Sequence, residues 1–222
     1  MKIIEIENIK KSYVNGYESV VILENLSLNI DKSEIVTIFG NSGVGKSTLL
    51  SIISGMLKAD SGKIKINGNY LNEGNSLKIR RNYLGILFQD NNLLSEFSVM
   101  ENLMLPMLIN GSTKNKAISH VKHLMGLIDM SQYLERYPRS LSKGEAQRIS
   151  LLRCIANTPE IVIADEPTAN LDENNCKLLL KLIVKLNKSL DITFLIATHD
   201  ERFLSISSNS YKLFNGDLSS NE

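Results

Sequence analysis

The residues with the plainest chemical meaning run from Gly40 to Ser47. Gly40-Asn41-Ser42-Gly43-Val44-Gly45-Lys46-Ser47 fits the spacing G-x-x-x-x-G-K-[ST] at every position. Glycines so spaced let successive backbone N–H groups turn inward around phosphate oxygens, and a helix opening near Lys46 aims the positive end of its dipole at the same point. Lys46 is then placed to reach the β- and γ-phosphates of a nucleoside triphosphate, and the Ser47 hydroxyl to bind Mg²⁺.

A second set completes that chemistry. Ile161-Val162-Ile163-Ala164-Asp165-Glu166 is an apolar run ending in two carboxylates. A buried strand has no structural use for paired acids at its end, whereas a magnesium–nucleotide site does. Asp165 is expected to hold Mg²⁺ through water, and Glu166 to polarise the attacking water as general base. Gln89 and His199 follow two more short apolar runs, residues 84–88 and 192–197, and so fall at carboxyl ends of strands, where parallel sheets collect their ligands. His199 is expected to contact the γ-phosphate, and Gln89 to have a functional role. Ser142 and Glu145 have capping-box spacing at the start of a helix, which one reading explains as a well-capped terminus. The other reading makes Ser142 and Gly144 a second anion site.

These side chains need a sheet to present them. Ile35, Val36, Ile38 and Phe39 read as a buried parallel strand delivering Gly40, and residues 48–54 as a helix that Gly55 ends. Ile4 and Ile6 alternate with Glu5 and Glu7 in a half-buried strand. A second strand over residues 20–30 leads toward the phosphate-binding loop, so antiparallel strands accompany the nucleotide strand. Asn67-Gly68 and Asn215-Gly216 each close an alternating run and predict hairpins. From Asp90 to Arg139 the character turns helical. Ser98 and Glu101 form a capping-box pair, residues 103–108, 117–127 and 130–134 read as helices, and the whole is a subdomain inserted between sheet strands. Stripes at Ile149, Leu152 and Ala156, and at Cys176, Leu179, Leu180, Ile183 and Leu186, mark two later core helices.

Composition narrows the classes. The 222 residues lie at the upper end of single-domain size, and 43% hydrophobic residues suffice for a core without disulfides or metals. A net charge of +1 gives no overall pull toward nucleic acid or acidic lipid. Cys154 and Cys176 stand far apart in helical patterns and read as reduced core residues of a cytosolic protein. The N-terminus lacks the pattern of a signal peptide. The apolar stretch at residues 103–109 is far shorter than the ~20 residues that cross a bilayer, so any membrane role is expected to run through a partner.

Taken in order, the phosphate-binding loop, Gln89, residues 141–145, the acidic strand, residues 169–172 and His199 resemble the ATP-binding subunits of ABC transporters over almost the whole chain. The resemblance implies an α/β P-loop NTPase of ABC ATPase type, with a mixed central sheet, an antiparallel β subdomain and an inserted helical subdomain. Residues 1–222 would form one nucleotide-binding domain, with 1–89 and 140–222 as ATPase core and β subdomain and 90–139 as the helical subdomain. It implies ATP and Mg²⁺ as cofactors, Tyr13 stacked on adenine, Thr48 beside Ser47 in the nucleotide site, Gln89 joining Ser47 and Asp165 at the metal, and Asp172 among the nucleotide-binding residues. It also implies a head-to-tail homodimer, in which Ser142 and Gly144 of one subunit close over ATP held by the other. Lys143, where the family usually has glycine, and Glu145, where glutamine is common, depart from the pattern.

Residues 84–89, Asn92-Leu93-Leu94, residues 101–109 with Gly111, and residues 164–172 look like the branch of lipoprotein-releasing ATPases and macrolide or peptide exporters. That likeness implies a motor at the cytoplasmic side of the inner membrane, bound to integral membrane permease subunits. A regulatory ATPase of the cell-division type shares much of the same segment and stays open as the alternative. The docking surface is expected over residues 97–109, with Gln89 behind it. Leu103, Met104, Leu105, Met107, Leu108 and Ile109 exceed what one buried helix face needs, and Pro106 is expected to bend the segment.

Overall fold

The computed structural model describes residues 1–16 and 18–220. The N-terminal alternation continues further than its first residues suggest: β1 (Lys2–Asn15) pairs antiparallel with β2 (Glu18–Asp31). β2 leads into β3 (Ile35–Phe39), buried at every residue. After the phosphate-binding loop, α1 (Lys46–Ile53) begins at Lys46, and Gly55 closes it at φ 66°. β4 (Ser61–Ile66) and β5 (Asn69–Tyr70) make the hairpin predicted at Asn67-Gly68, both turn residues having positive φ (47° and 73°). These strands form a four-stranded antiparallel sheet in the order β2-β1-β4-β5. α2 (Ser76–Tyr83) has no counterpart in the sequence reading. Ile79 is its one buried residue, so it shows no apolar stripe for periodicity to reveal.

β6 (Leu84–Leu87), β7 (Ile161–Asp165), β8 (Thr193–Thr198), β9 (Asn209–Phe214) and β10 (Asp217–Ser220) join β3 in a six-stranded sheet, order β10-β9-β3-β8-β7-β6. All are parallel except β10, which forms the second Asn-Gly hairpin with β9. Strand periodicity divides the core in two. Val36, Ile38, Ile161, Ile163, Leu195 and Ala197 face the antiparallel sheet and α1, while Ile35, Phe39, Val162, Ala164, Phe194 and Ile196 face the helical side. That side is built by α3 (Val99–Ile109), α4 (Lys114–Leu127), α5 (Lys143–Ile155) and α6 (Glu173–Leu190).

Two expectations about the helical segment need correction. Residues 130–134 form only the 3₁₀ turn Ser131–Tyr133. Pro106 lies inside α3, with Val99, Leu103 and Met107 buried on both sides of the lost hydrogen bond. Met104 (4% exposed) and Met107 (9%) are core residues, so neither is available to a partner. Across residues 97–109 the exposed large apolar side chains are Phe97, Leu108 and Ile109, the last 64% exposed.

Candidate active site

Register brings the separate motifs to one place. Phe39 pairs with Thr198, and Asp165 with Ala197, so the ends of β3, β7 and β8 present Gly40, Glu166 and His199 side by side. The phosphate-binding loop passes close beneath β2. Gly45 has φ 105°, and a Cβ there would stand 2.6 Å from Ile22 Cγ2, so both backbone and space require glycine.

Lys46 folds back into this loop. Its Nζ donates to Gly40 O (2.7 Å) and Asn41 O (3.1 Å) and lies 3.1 Å from Glu166 Oε1. Glu166 sits at φ 44° with its N–H bonded to Ala197 O (2.8 Å), which aims the carboxylate back into the site. Its Oε2 accepts from Thr198 Oγ1 (3.0 Å) and the His199 N–H (3.3 Å), and His199 Nδ1 is 2.9 Å away. Burial alone would raise this carboxyl, but the bonds from His199 and Lys46 outweigh it and hold the group below the ordinary carboxylate range. Asp165 behaves oppositely. Burial pushes it up, the Ser47 hydroxyl opposes this, the Glu166 charge adds to it and Lys46 counters again; the net direction is upward. Asp165 Oδ1 is buried with no hydrogen-bond partner. An orphaned carboxylate oxygen beside the Ser47 hydroxyl fits a hard divalent cation that takes its other ligands from phosphate and water.

Gln89 is exposed and lines a cleft of about 240 Å³ with Asp90, Asn91, Lys143, Gln147, Pro167, Asn170 and Leu171. Among the described residues no hydrogen bond joins it to Ser47 or Asp165, so the structure brings two of the three expected metal positions together. The chain just after Gln89 is tied to α5, with Ser150 Oγ donating to Asn91 O (2.7 Å) and Arg153 to Asn92 O (2.7 Å) and Asn91 O (3.0 Å). Gln147 Nε2 donates to Pro167 O (3.1 Å), fastening the same helix behind the acidic strand. These tethers had no sequence signal, since their acceptors are backbone carbonyls. Thr198 also escaped assignment, although it stands beside His199 in the sequence. Beyond it, Asp200 accepts from Thr168 Oγ1 (2.8 Å) and is gripped by Arg202 (2.7 Å), which fixes the loop after His199.

Tyr13 is exposed, with Lys11 Nζ 5.6 Å from its ring centroid. Asp60 pins this stretch through Lys11 Nζ (2.7 Å) and the Ser12 N–H (2.7 Å). Ser142 and Glu145 make both halves of a capping box at the start of α5, with Ser142 exposed. Asp172 caps α6 by accepting the Asn175 N–H at 2.9 Å. Asn41, Ser42 and Gly43 are open to solvent at the loop's mouth, with Val44 and Thr48 partly covered.

Residues 23–169 match the family model described as ABC transporter. Among curated proteins, the chain is 37% identical to the lipoprotein-releasing system ATP-binding protein LolD of Buchnera aphidicola subsp. Schizaphis graminum, covering 99% of this chain and 97% of the relative. It is 37% identical to LolD of Rickettsia bellii, covering 98% and 97%, and 36% identical to LolD of Treponema denticola, covering 97% of each. Among solved structures, a dimeric ATP-binding cassette in a post-hydrolysis state bound to ADP and Pi is 30% identical with a TM-score of 0.88, over 99% of this chain and 98% of that one. A matching fold, a phosphate-binding loop set beside paired acids and relatives of this identity along its whole length lead to one conclusion: the protein belongs to the ABC transporter family, as an ATP-hydrolysing member.

Proposed function

We propose that the chain is the motor subunit of an ABC transporter that drives release of lipoproteins from the inner membrane, acting as a head-to-tail homodimer beneath integral membrane permease subunits on the cytoplasmic side. The observation that carries this reading is the run of relatives bearing the lipoprotein-releasing name over nearly the whole chain. Among the described residues no helix is long and apolar enough to cross a membrane, which accords with a peripheral subunit.

In this reading Tyr13 stacks on adenine and the loop from Gly40 to Thr48 cradles the phosphates. Lys46 leaves Glu166 for the β- and γ-phosphates, and Glu166 takes a proton from the attacking water. Thr198 and His199 orient that carboxylate, and His199 also meets the γ-phosphate. Ser47, Gln89 and Asp165 would hold Mg²⁺, which would offset phosphate charge. Ser142 and Gly144 act on ATP in the opposite subunit, and Asp172 belongs to the same set of nucleotide-binding residues. The helical subdomain at 90–139 receives the permease through Phe97, Leu108 and Ile109, whose exposure supports a docking patch at the end of α3.

The test is reconstitution with its membrane subunits in proteoliposomes carrying an acylated protein. ATP-dependent release of that protein is expected. Active ATP turnover with the acylated protein retained would exclude lipoprotein release and favour the regulatory or drug-exporting alternatives.

A further inference from the structure

The first turns of α5 and α6 meet at one side chain that none of the sequence motifs includes. Asn175 Oδ1 accepts from Arg148 Nη1 (3.0 Å), its Nδ2 donates to Asp172 Oδ2 (2.7 Å), and its N–H donates to Asp172 Oδ1 (2.9 Å). A guanidinium only donates and a carboxylate only accepts, so a single orientation of the amide satisfies both neighbours. The same side chain lies over Gly144. A Cβ at Gly144 would stand 2.0 Å from Asn175 Oδ1 and 2.2 Å from its Cγ. Gly144 is therefore buried under Asn175, while Ser142, two residues before it, stays exposed.

We propose that Asn175 is a positioning residue for ATP hydrolysis, locking the first turn of the helix that carries Ser142 and Gly144 against Asp172, and that Gly144 is glycine in this chain because Asn175 fills the space of its side chain. The proposal rests on the head-to-tail reading, in which Ser142 and Gly144 meet the ATP of the opposite subunit. Among the described residues no hydrogen bond joins Asn175 to the phosphate-binding loop, so its effect passes through the placement of α5. Placement matters because preorganised donors act only at correct distance, and a misplacement of about 1 Å costs on the order of 100-fold. The usual reason for glycine at a phosphate contact is close approach of the backbone to the ligand. Here an intramolecular neighbour already demands it.

Asn175→Asp keeps the size of the side chain, removes the donor to Asp172 and sets two carboxylates together. The expected result is a fall in kcat of about tenfold with KM for ATP unchanged. Gly144→Ala is expected to be inactive, and Gly144→Ala with Asn175→Gly to recover only to the reduced activity of Asn175→Gly alone. Glycine is needed in the second variant because Asn175 Cβ would lie 2.8 Å from the added methyl. Light scattering of Glu166→Gln with ATP tests the sandwich separately: a monomer there sinks the head-to-tail reading, and the kcat of Asn175→Asp still decides the role of Asn175. Parental kcat in Asn175→Asp overturns the proposal. So does a folded double variant no more active than Gly144→Ala, or an Asn175→Asp chain that circular dichroism shows to be unfolded, which would mark a purely structural residue.

Discussion

Lys46 Nζ stands 3.1 Å from Glu166 Oε1, an ion pair whose ammonium is 5% and carboxylate 14% exposed. Lys46 of the loop and Glu166 at the end of the acidic strand thus neutralise each other. Burying either charge alone is costly, and pairing offsets part of that cost. The other carboxylate oxygen accepts from Thr198 Oγ1 at 3.0 Å and lies 2.9 Å from His199 Nδ1.

Glu166→Gln is expected to keep ATP binding and to lose hydrolysis by about 10²- to 10⁴-fold, the usual contribution of a positioned base. A carboxamide cannot accept the proton of water, while the loop from Gly40 to Ser47 is untouched. Rapid-quench turnover and equilibrium ATP binding check this together. Hydrolysis at the parental rate would remove Glu166 from the role of base.

Ser142→Arg should leave each chain folded and able to bind ATP but without turnover, and Lys46→Ala should lose binding itself. Removing a preorganised donor of the Lys46 kind costs about 2.7 to 4 kcal/mol in the transition state. A mixture of the two variants contains heterodimers in which one composite site has both defects and the other has neither. Recovered ATPase activity is the expected result. Heterodimers verified by differential tags yet inactive would mean that Ser142 does not act across the interface or that one intact site is insufficient.

Asp60 has its carboxyl lowered to about 2, through Lys11 first and then the Ser12 N–H and hydroxyl. A carboxyl lowered on folding stabilises the fold above its ordinary value, and that contribution disappears as pH falls through the folded value. Urea midpoints of the parent and Asp60→Asn should therefore differ at neutral pH and converge as pH is lowered from about 4 toward about 2. A constant gap across that window would show that the charge of Asp60 is not what pins Lys11 and Ser12 beside Tyr13.

Ile109→Glu and Phe97→Glu are expected to abolish co-purification with the membrane subunit while the isolated chain keeps its thermal midpoint, since both side chains are exposed. Met104→Ala should instead lower stability by about 2 to 5 kcal/mol, as a buried truncation does. Normal partner binding by both glutamate variants places the docking patch elsewhere.

The sequence by itself determined the chemistry. Gly40 to Ser47, the acids Asp165 and Glu166 at the end of β7 and His199 after β8 were legible because each lies within a few residues of a strand end, where local pattern and chemical type coincide. Both Asn-Gly hairpins and both capping boxes were legible for the same reason, being complete within four residues or so. Tertiary structure decided what depends on distant partners. α3 carries apolar residues on nearly all sides, so its sequence could not tell Met104 and Met107, which the core takes, from Leu108 and Ile109, which it leaves exposed. Arg153 reads as an ordinary helix residue until its guanidinium finds the carbonyls of Asn91 and Asn92, 61 positions or more away in the chain. Asn175 gains its meaning only when α5 brings Gly144 beneath it. Side chains whose partners are backbone atoms or empty space leave no pattern to read, because any residue supplies a carbonyl and only packing creates the space.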